Sequence, residues 1–321
     1  MKQSACLLLI SLLSCVVSTA GAADSNYPSR PIRIIDAFVP GGPSDALSRL
    51  LGQKLTESWG QPVIIDNRGS AGGIVGFELA SRAAADGYTL LLAPQGPVTI
   101  NPSVYLKLGY DPQRDFKPLT QVSSGAYVMA VNPSVAAKSV PEFIALAKAR
   151  PGQINYASTA TNNLLAMEQF NYMAGVKTVN IPFKGTGQAV SALLSGEVQV
   201  FIISPLVGLP HVAAGKLRAI GVTGLKRSPA LPDVPAVAET LPGFESVVWH
   251  GVVVPSRTPK PIVAKLSQEL IRIVKLPDVK ERLNGYGLDA VGSTPDEFSA
   301  LIRSETATFA KLVKQIGFKP Q

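Results

Sequence analysis

A glycine-rich turn between an apolar strand and an amphipathic helix constrains the fold of this chain most. Residues 32–38 are mostly apolar, residues 40–43 read Pro-Gly-Gly-Pro, and the leucines of residues 47–55 recur at the spacing of one helix face. We expect Ser44 to be the N-cap of that helix. Free amides, the helix dipole and glycines without side chains favour an anion there. The pattern predicts a carboxylate site. The alternative is that residues 40–43 form only a tight connection between the strand and the helix.

The order of strand, glycine loop and helix then occurs again. Residues 63–67 predict a second strand, residues 69–73 a glycine loop, residues 74–84 a helix and residues 88–93 a third strand. Such alternation predicts a parallel sheet covered by helices, with ligands at the carboxyl ends of the strands. Both glycine loops follow a strand, so both are candidates for the ligand site.

The length of 321 residues and the apolar content of 46% predict two globular lobes. A second α/β block follows the first, and the apolar run at residues 247–254 returns from it to the first block. The strands of the second block are predicted at residues 127–131, 155–158, 179–181, 198–203 and 219–222. We therefore expect a discontinuous first lobe, residues 23–124 plus 246–321, and a second lobe, residues 125–245. The two crossings near residues 123–127 and 245–249 should form the hinge.

The first 22 residues predict a secretory signal peptide. Lys2 supplies positive charge, residues 5–17 form an apolar run too short to span a membrane, and Ala22 precedes the cleavage site. A lipoprotein signal with acylation of Cys15 is the alternative. Both routes lead to the periplasm. Because Cys6 and Cys15 are the only cysteines, the mature chain is expected to lack thiols, disulfides and cysteine-ligated metals.

Nucleic-acid binding and catalysis are poorly supported by the sequence. The net charge of +8 comes from scattered bases without like-charge blocks or interleaved aromatic residues. Residues 69–76 lack the G-x-G-x-x-G spacing of a dinucleotide site, and no G-x-S-x-G nucleophile motif occurs. His211 and His250 lie far apart, and His250 is interpreted as a packing or hinge residue. We expect a binding protein without cofactor or metal rather than an enzyme.

Nine short motifs in a fixed order resemble the periplasmic solute receptors of tripartite tricarboxylate transporters, the Bug-type family. They are PGGPSD at 40–45, NRGSAGG at 67–73, DGYTLL at 86–91, PGQINYAS at 151–158, PFKG at 182–185, GKLRA at 215–219, LPDVP at 231–235, WHG at 249–251 and TP at 258–259. The resemblance implies an α/β protein of the type II periplasmic-binding-protein fold, whose two lobes close like a flytrap over a small carboxylate. It implies a monomer that delivers its ligand to the transporter's membrane components, or alternatively signals to a sensor kinase.

The resemblance also implies the site residues. The first ligand loop would comprise Phe38, Gly41, Gly42, Ser44 and Asp45, with Asp45 bracing the turn because its charge would repel an anion. Further contacts would come from Gly72, Gly73, Ala93, Pro94, Gln95, Ser158, Thr159, Thr161, Lys184, Gly185 and Ser204. Lys184 would add a long-range positive field, or else be an exposed, solvated lysine.

Two departures from the family pattern bear on the ligand. The loop at residues 158–165 is two residues shorter than usual and lacks its glycines and histidine, so hydroxyl and amide groups at Thr159, Thr161, Asn162 and Asn163 would have to replace them. Gln199 and Ile203 stand where aspartates are common. Because those carboxylates would meet a ligand amine, their loss favours a carboxylate without an amino group.

Overall fold

The computed structural model describes residues 26–320, which form two α/β lobes around two separate sheets. The strands are β1 (Ile32–Asp36), β2 (Val63–Asn67), β3 (Thr89–Pro94), β4 (Phe116–Ala126), β5 (Val128–Val131), β6 (Asn155–Ser158), β7 (Val179–Pro182), β8 (Val200–Ile203), β9 (Arg218–Val222), β10 (Val247–Pro255) and β11 (Asp289–Ala290). The helices are α1 (Pro43–Trp59), α2 (Ile74–Ser81), α3 (Asn101–Val104), α4 (Pro112–Asp115), α5 (Val140–Ala149), α6 (Thr161–Ala174), α7 (Thr186–Ser195), α8 (Pro205–Ala213), α9 (Lys260–Val274), α10 (Pro277–Gly285) and α11 (Pro295–Gln315). Three short turns complete the elements: Ala71–Gly73, the π-helical Gly96–Ile100 and Val237–Glu239.

The first sheet has the strand order β11-β4-β10-β3-β1-β2. The strands β1, β2 and β3 are parallel, as the alternating pattern predicts. The sheet as a whole is mixed, because β10 returns from the second half of the chain and runs antiparallel to both β3 and β4. Strand β4 has no counterpart in the sequence analysis, since Pro118 and its many polar residues hide an 11-residue strand that pairs with β10 and β11.

The second sheet has the order β7-β6-β8-β5-β9. Strand β6 runs parallel to β7 and β8, whereas β5 is antiparallel to β8 and β9. The five strands lie within two residues of the predicted segments at each end.

Two chain crossings join the lobes and are hydrogen-bonded to each other. The first lies at Tyr127, between β4 and β5, and the second runs from Thr223 to Ser246, between β9 and β10. The backbone N–H of Tyr127 donates to Thr223 Oγ1 (2.8 Å), and that of Ser246 donates to the Thr223 carbonyl (2.9 Å). The crossings therefore form one two-segment hinge.

Helix α1 packs as its sequence predicts. Leu47, Leu51 and Leu55 are completely buried and belong to the same apolar core as Ile32 and Ile34 of β1. Because this packing fixes the helix against the sheet, it also fixes the turn at residues 37–42 over the edge of β1. The first glycine loop is thus held in place from both sides.

No helix within residues 26–320 is long and apolar enough to cross a membrane. The predicted signal peptide, including Cys6 and Cys15, lies outside the described residues. Within the described part of the chain, no three His, Cys, Asp or Glu residues are grouped so that they could hold a metal ion.

Candidate functional site

A cavity of about 80 Å³ lies between the two lobes, beside the hinge. Residues of the first lobe that line it are Phe38, Gly42, Pro43, Ser44, Pro94, Gly96, Pro97, Val248 and His250. The remaining lining residues, from the hinge and the second lobe, are Tyr127, Thr159, Ala160, Asn162, Asn163, Thr186, Phe201 and Ser204. Of these described lining residues, none is Asp, Glu, Lys or Arg. Aromatic rings, prolines and neutral polar groups therefore form the wall.

Four helices begin at this cavity. The lining residues include the first turn of α1 at Pro43 and Ser44, that of α6 at Asn162, the first residue of α7 at Thr186 and the N-cap of α8 at Ser204. The first amides of a helix have no partner within the helix, and its N-terminus carries roughly half a positive charge. Four such ends favour negative charge in the cavity although no cationic side chain lines it.

Asp36 at the end of β1 holds the first glycine loop. Its Oδ1 accepts hydrogen bonds from the Phe38 N–H (3.0 Å) and the Ser44 hydroxyl (2.9 Å), and its Oδ2 accepts one from Ser48 (3.0 Å). Burial raises the pKa of Asp36 to about 6 despite these bonds. The prediction of Ser44 as the N-cap is wrong: Gly42 is the N-cap and Pro43 the first helical residue, because proline suits that position and the Ser44 side chain is engaged by Asp36.

Gly41 and Asp45 stabilise the loop from its outer side. Asp45 Oδ2 accepts from the Gly41 N–H (3.0 Å) and Arg49 Nε (3.0 Å), and Oδ1 accepts from Asn67 Nδ2 (3.1 Å). Partial burial alone would raise the pKa of Asp45, but the hydrogen bonds from Arg49, Gly41 and Asn67 outweigh it and lower that pKa. Both residues line a separate groove of about 320 Å³ that also contains Arg282, and neither lines the central cavity. Asp45 thus braces the turn.

The second glycine loop supports the site rather than lining the central cavity. Gly72 and Gly73 both have positive φ angles, of 65° and 73°. A Cβ atom on Gly72 would lie 2.7 Å from the Tyr105 hydroxyl, and one on Gly73 would lie 3.0 Å from the Pro97 ring. These glycines let Tyr105 and Pro97 pack closely against the loop. Gly72 lines a neighbouring cavity of about 190 Å³.

The wall predicted at the end of β3, residues 93–95, reaches the cavity only in part. Ala93 is buried in the sheet opposite Gly251, and Gln95 donates through Nε2 to Glu305 Oε2 (3.0 Å), whereas Pro94 and Gly96 line the cavity. Glu305 on α11 also accepts from Trp249 Nε1 (2.8 Å), and its burial raises its pKa.

The predicted residues Ser158, Thr159 and Thr161 of the second lobe do not all line the central cavity. Thr159 lines the central cavity as well as the neighbouring one. The Ser158 hydroxyl donates to Asn180 Oδ1 (2.7 Å), and the Thr161 hydroxyl donates to Asn101 Oδ1 (2.8 Å) in the other lobe. Ser158 and Thr161 line only the neighbouring cavity, so their hydroxyl groups hold the loop and the closed lobes.

Lys184 and Gly185 lie outside the cavity. Lys184 is exposed and follows β7, whereas Gly185 is the N-cap of α7. A Cβ atom on Gly185 would lie 3.0 Å from Val39 Cγ2 of the first loop. The glycine therefore allows the two lobes to approach, and the next residue, Thr186, reaches the cavity.

Two residues that line the cavity each have a buried side-chain oxygen without a hydrogen-bond partner. Within residues 26–320, only Asn162 Oδ1, Ser204 Oγ and Ser267 Oγ are buried side-chain atoms without one, and Asn162 and Ser204 line this cavity. Asn162 Nδ2 donates to the Tyr127 hydroxyl, which leaves its carbonyl oxygen free. Buried polar atoms are usually paired, so these two oxygens are exceptions among the described residues.

His250 contributes a neutral ring to the cavity wall. It is 3% exposed, and its Nδ1 lies 3.4 Å from Ser123 Oγ. Burial lowers the pKa of His250 to about 4, so the imidazole is uncharged at neutral pH. Its burial in β10 fits the interpretation as a packing residue, but the residue also lines the cavity.

A type II periplasmic-binding-protein fold with its cavity between the lobes defines a solute-binding protein. Residues 47–318 match the model of the tripartite tricarboxylate transporter family receptor. The chain belongs to this family, whose members are solute receptors and not enzymes.

Three similar proteins illustrate the relationship. BugT of Bordetella pertussis is 34% identical over 319 residues, which cover 97% of this chain and 98% of BugT. The structure of R. palustris Rpa4515 with adipate has a TM-score of 0.89 and 30% identity, covering 92% of this chain and 100% of the other. MatC (Rpa3494) from Rhodopseudomonas palustris with bound malate has a TM-score of 0.85 and 29% identity, covering 89% and 100%.

Proposed function

We propose that this protein is a periplasmic receptor that binds a small organic carboxylate between its lobes and delivers it to the membrane components of a tripartite tricarboxylate-type transporter. The observation that carries the proposal is the meeting of four helix N-termini at a cavity whose described lining residues include no charged side chain. Backbone amides and neutral hydroxyl groups would hold the acid.

The chemistry of the cavity favours an acid over an amino acid. Helix dipoles attract a carboxylate, and an ammonium group would find no lining carboxylate to pair with. MatC with malate and Rpa4515 with adipate are similar proteins that hold dicarboxylates. The ligand contacts would be Phe38, Gly42, Ser44, Thr159 and Ser204 of the predicted set, together with Asn162, Asn163, Thr186 and His250. The other predicted residues would position these from behind.

Export and lobe movement complete the proposal. Residues 1–22 would be removed as a signal peptide, and the monomeric chain would open and close about its two crossings, with residues 23–124 plus 246–321 in one lobe and residues 125–245 in the other. Ligand contacts from both lobes favour the closed state. Delivery then needs a membrane partner that binds the closed form better than the open one.

Isothermal titration calorimetry of the exported, purified protein tests this proposal. Malate, succinate, adipate and citrate serve as probes, and dimethyl malate serves as an uncharged control. We expect one-site binding of at least one acid and no binding of the ester. An uptake assay with the radiolabelled acid, in cells with and without this chain, tests the transport role. Binding of the ester with the affinity of the acid would contradict the proposed carboxylate site.

A further inference from the structure

Glu305 does not line the cavity, but it is bound to two parts of the cavity wall. Its Oε2 accepts hydrogen bonds from Gln95 Nε2 (3.0 Å) and Trp249 Nε1 (2.8 Å), and Thr99 Oγ1 lies 3.3 Å from the same oxygen. In the chain, Gln95 stands between two residues that line the cavity, and so does Trp249. One side chain of α11 thus connects the end of β3 to β10 beside the residues that form the wall.

The donors that Glu305 holds are themselves buried. Gln95 is 2% exposed and Trp249 is 1% exposed, so water is not at hand to replace a lost acceptor. A buried N–H group without a partner costs free energy, which the protein can recover only by moving the segment that carries it. Each of these segments also carries cavity-lining residues on both sides of the donor. Loss of the acceptor should therefore change the shape of the wall.

The same carboxylate brings a negative charge close to the cavity. Tyr127 lines the cavity, and its pKa is raised chiefly by burial and further by the charge of Glu305. That charge therefore reaches the cavity and would repel an anion there. No Lys or Arg among the described lining residues offsets it.

From these contacts we infer that Glu305 sets the affinity of the receptor from outside the cavity. Its hydrogen bonds position the wall for the acid, and its charge keeps the acid from being held too tightly. The inference rests on the proposed function, since it takes binding of an acid in this cavity as given. A receptor that delivers its ligand must also release it, and affinity is adjusted mostly through the rate of dissociation. Glu305 is therefore a positioning residue and not a ligand contact.

Two variants separate the charge of Glu305 from its hydrogen bonds. Both bonds and the Thr99 contact fall on Oε2, so the single carbonyl oxygen of Glu305→Gln can accept them without the charge. Calorimetry at about pH 8 uses whichever of malate, succinate, adipate and citrate binds the wild type most tightly. We expect Glu305→Gln to bind that acid at least about threefold more tightly than the wild type. Glu305→Ala should bind it about tenfold more weakly than Glu305→Gln.

Glu269 on α9 provides the matched control. Its side chain is 13% exposed, it accepts hydrogen bonds from Arg272 Nε (3.0 Å) and Nη2 (2.7 Å), and it does not line the cavity. Glu269→Gln removes the same charge from the same lobe, and Glu269→Ala also removes the acceptor. Both control variants should bind the acid as the wild type does. Thermal melting shows which variants are folded, and if Glu305→Ala is not, the comparison of Glu305→Gln with the wild type and with Glu269→Gln decides.

The outcomes separate this inference from the proposed function. Affinity in Glu305→Gln no higher than in the wild type, equal affinities in Glu305→Gln and a folded Glu305→Ala, or the same gain in Glu269→Gln would overturn the inference and leave the carboxylate receptor standing. Failure of all four acids to bind the wild type would contradict the proposed function together with the inference.

Discussion

Asp36 shows how one buried side chain prepares the binding loop. It accepts hydrogen bonds from the backbone N–H of Phe38 in the first glycine loop and from the hydroxyl groups of Ser44 and Ser48 in α1. Asp36 itself is not among the residues that line the cavity. The sequence analysis did not single it out, because an aspartate at a strand end is usually exposed. Only the packing of α1 over β1 buries it.

Replacement of Asp36 tests this role. Asp36→Ala leaves the Phe38 amide and the hydroxyls of Ser44 and Ser48 unpaired, so we expect the free energy of unfolding to fall by about 2 kcal/mol and ligand affinity to fall as well. Asp66→Ala is the control: Asp66 lies on the neighbouring strand β2, opposite Ile35, with its side chain 20% exposed, and its ion pairs should contribute below about 1 kcal/mol. Urea denaturation measures both changes. Equal losses in the two variants would contradict the account.

His250 should make stability depend on pH. Its pKa is about 4 when folded against 6.5 when exposed, so between these values the unfolded chain binds the proton and the folded chain does not. The free energy of unfolding should therefore decrease as the pH falls through this window, by about 2 kcal/mol between pH 7 and pH 5.

The contribution of His250 must be measured with a variant, because the pKa shift of Asp36 changes the free energy of unfolding with pH in the opposite direction. Its pKa is about 6 when folded against 3.8 when exposed, so it stabilises the folded state as the pH falls through that window. His250→Gln retains Asp36, and the difference between wild type and variant at each pH gives the histidine contribution. The same pH dependence in both proteins would contradict the burial of a neutral imidazole.

At the scale of elements, the four helix N-termini define the site better than any single motif. The sequence predicted α1 and the strands other than β4 and β11, because apolar spacing is a local signal. It missed Glu305, since its partner Gln95 lies 210 residues away in the chain. It also placed the N-cap at Ser44, because it did not weigh Pro43 against the serine. Contacts between distant elements, which decide which residue of a loop faces the cavity, are not encoded locally.

A negative charge at one helix end tests the electrostatic role of these ends. Thr186→Asp puts a carboxylate on the first residue of α7, where the dipole stabilises it by about 0.3–1 kcal/mol but where it competes with a ligand anion. We expect affinity for the acid to fall about 100-fold while the melting temperature is retained or rises slightly. Ser191→Asp places the same charge on the exposed face of the same helix and should leave affinity unchanged. Equal affinities of the two variants for the acid would contradict the placement of the ligand at the N-terminus of α7.

At the scale of the whole molecule, the lobes lie against each other in a closed arrangement. Leu165 of α6 packs with Ile100 and Val104 of the other lobe and with Val313 of α11. The Thr161 hydroxyl also donates to Asn101 across the interface. Closure therefore has apolar and polar contacts of its own, in addition to those a ligand adds.

A side chain at Gly96 should oppose this closure. A Cβ atom there would lie 2.8 Å from Thr161 Oγ1 of the opposite lobe, so Gly96→Ala should weaken ligand binding by about 1–3 kcal/mol without unfolding the protein. Small-angle X-ray scattering should show a larger radius of gyration with ligand present than in the wild type. Gly187→Ala, with open space around its Cβ position, is the control. An unchanged affinity in Gly96→Ala would show that closure does not need this contact.

A crystal structure of the protein with its tightest-binding acid tests the central claim most directly. The account predicts one carboxylate group in the cavity between the lobes, with its oxygens within hydrogen-bond distance of first-turn amides of at least two of the helices α1, α6, α7 and α8. A carboxylate held instead by Lys184, Arg49 or Arg282, or bound away from this cavity, would contradict it.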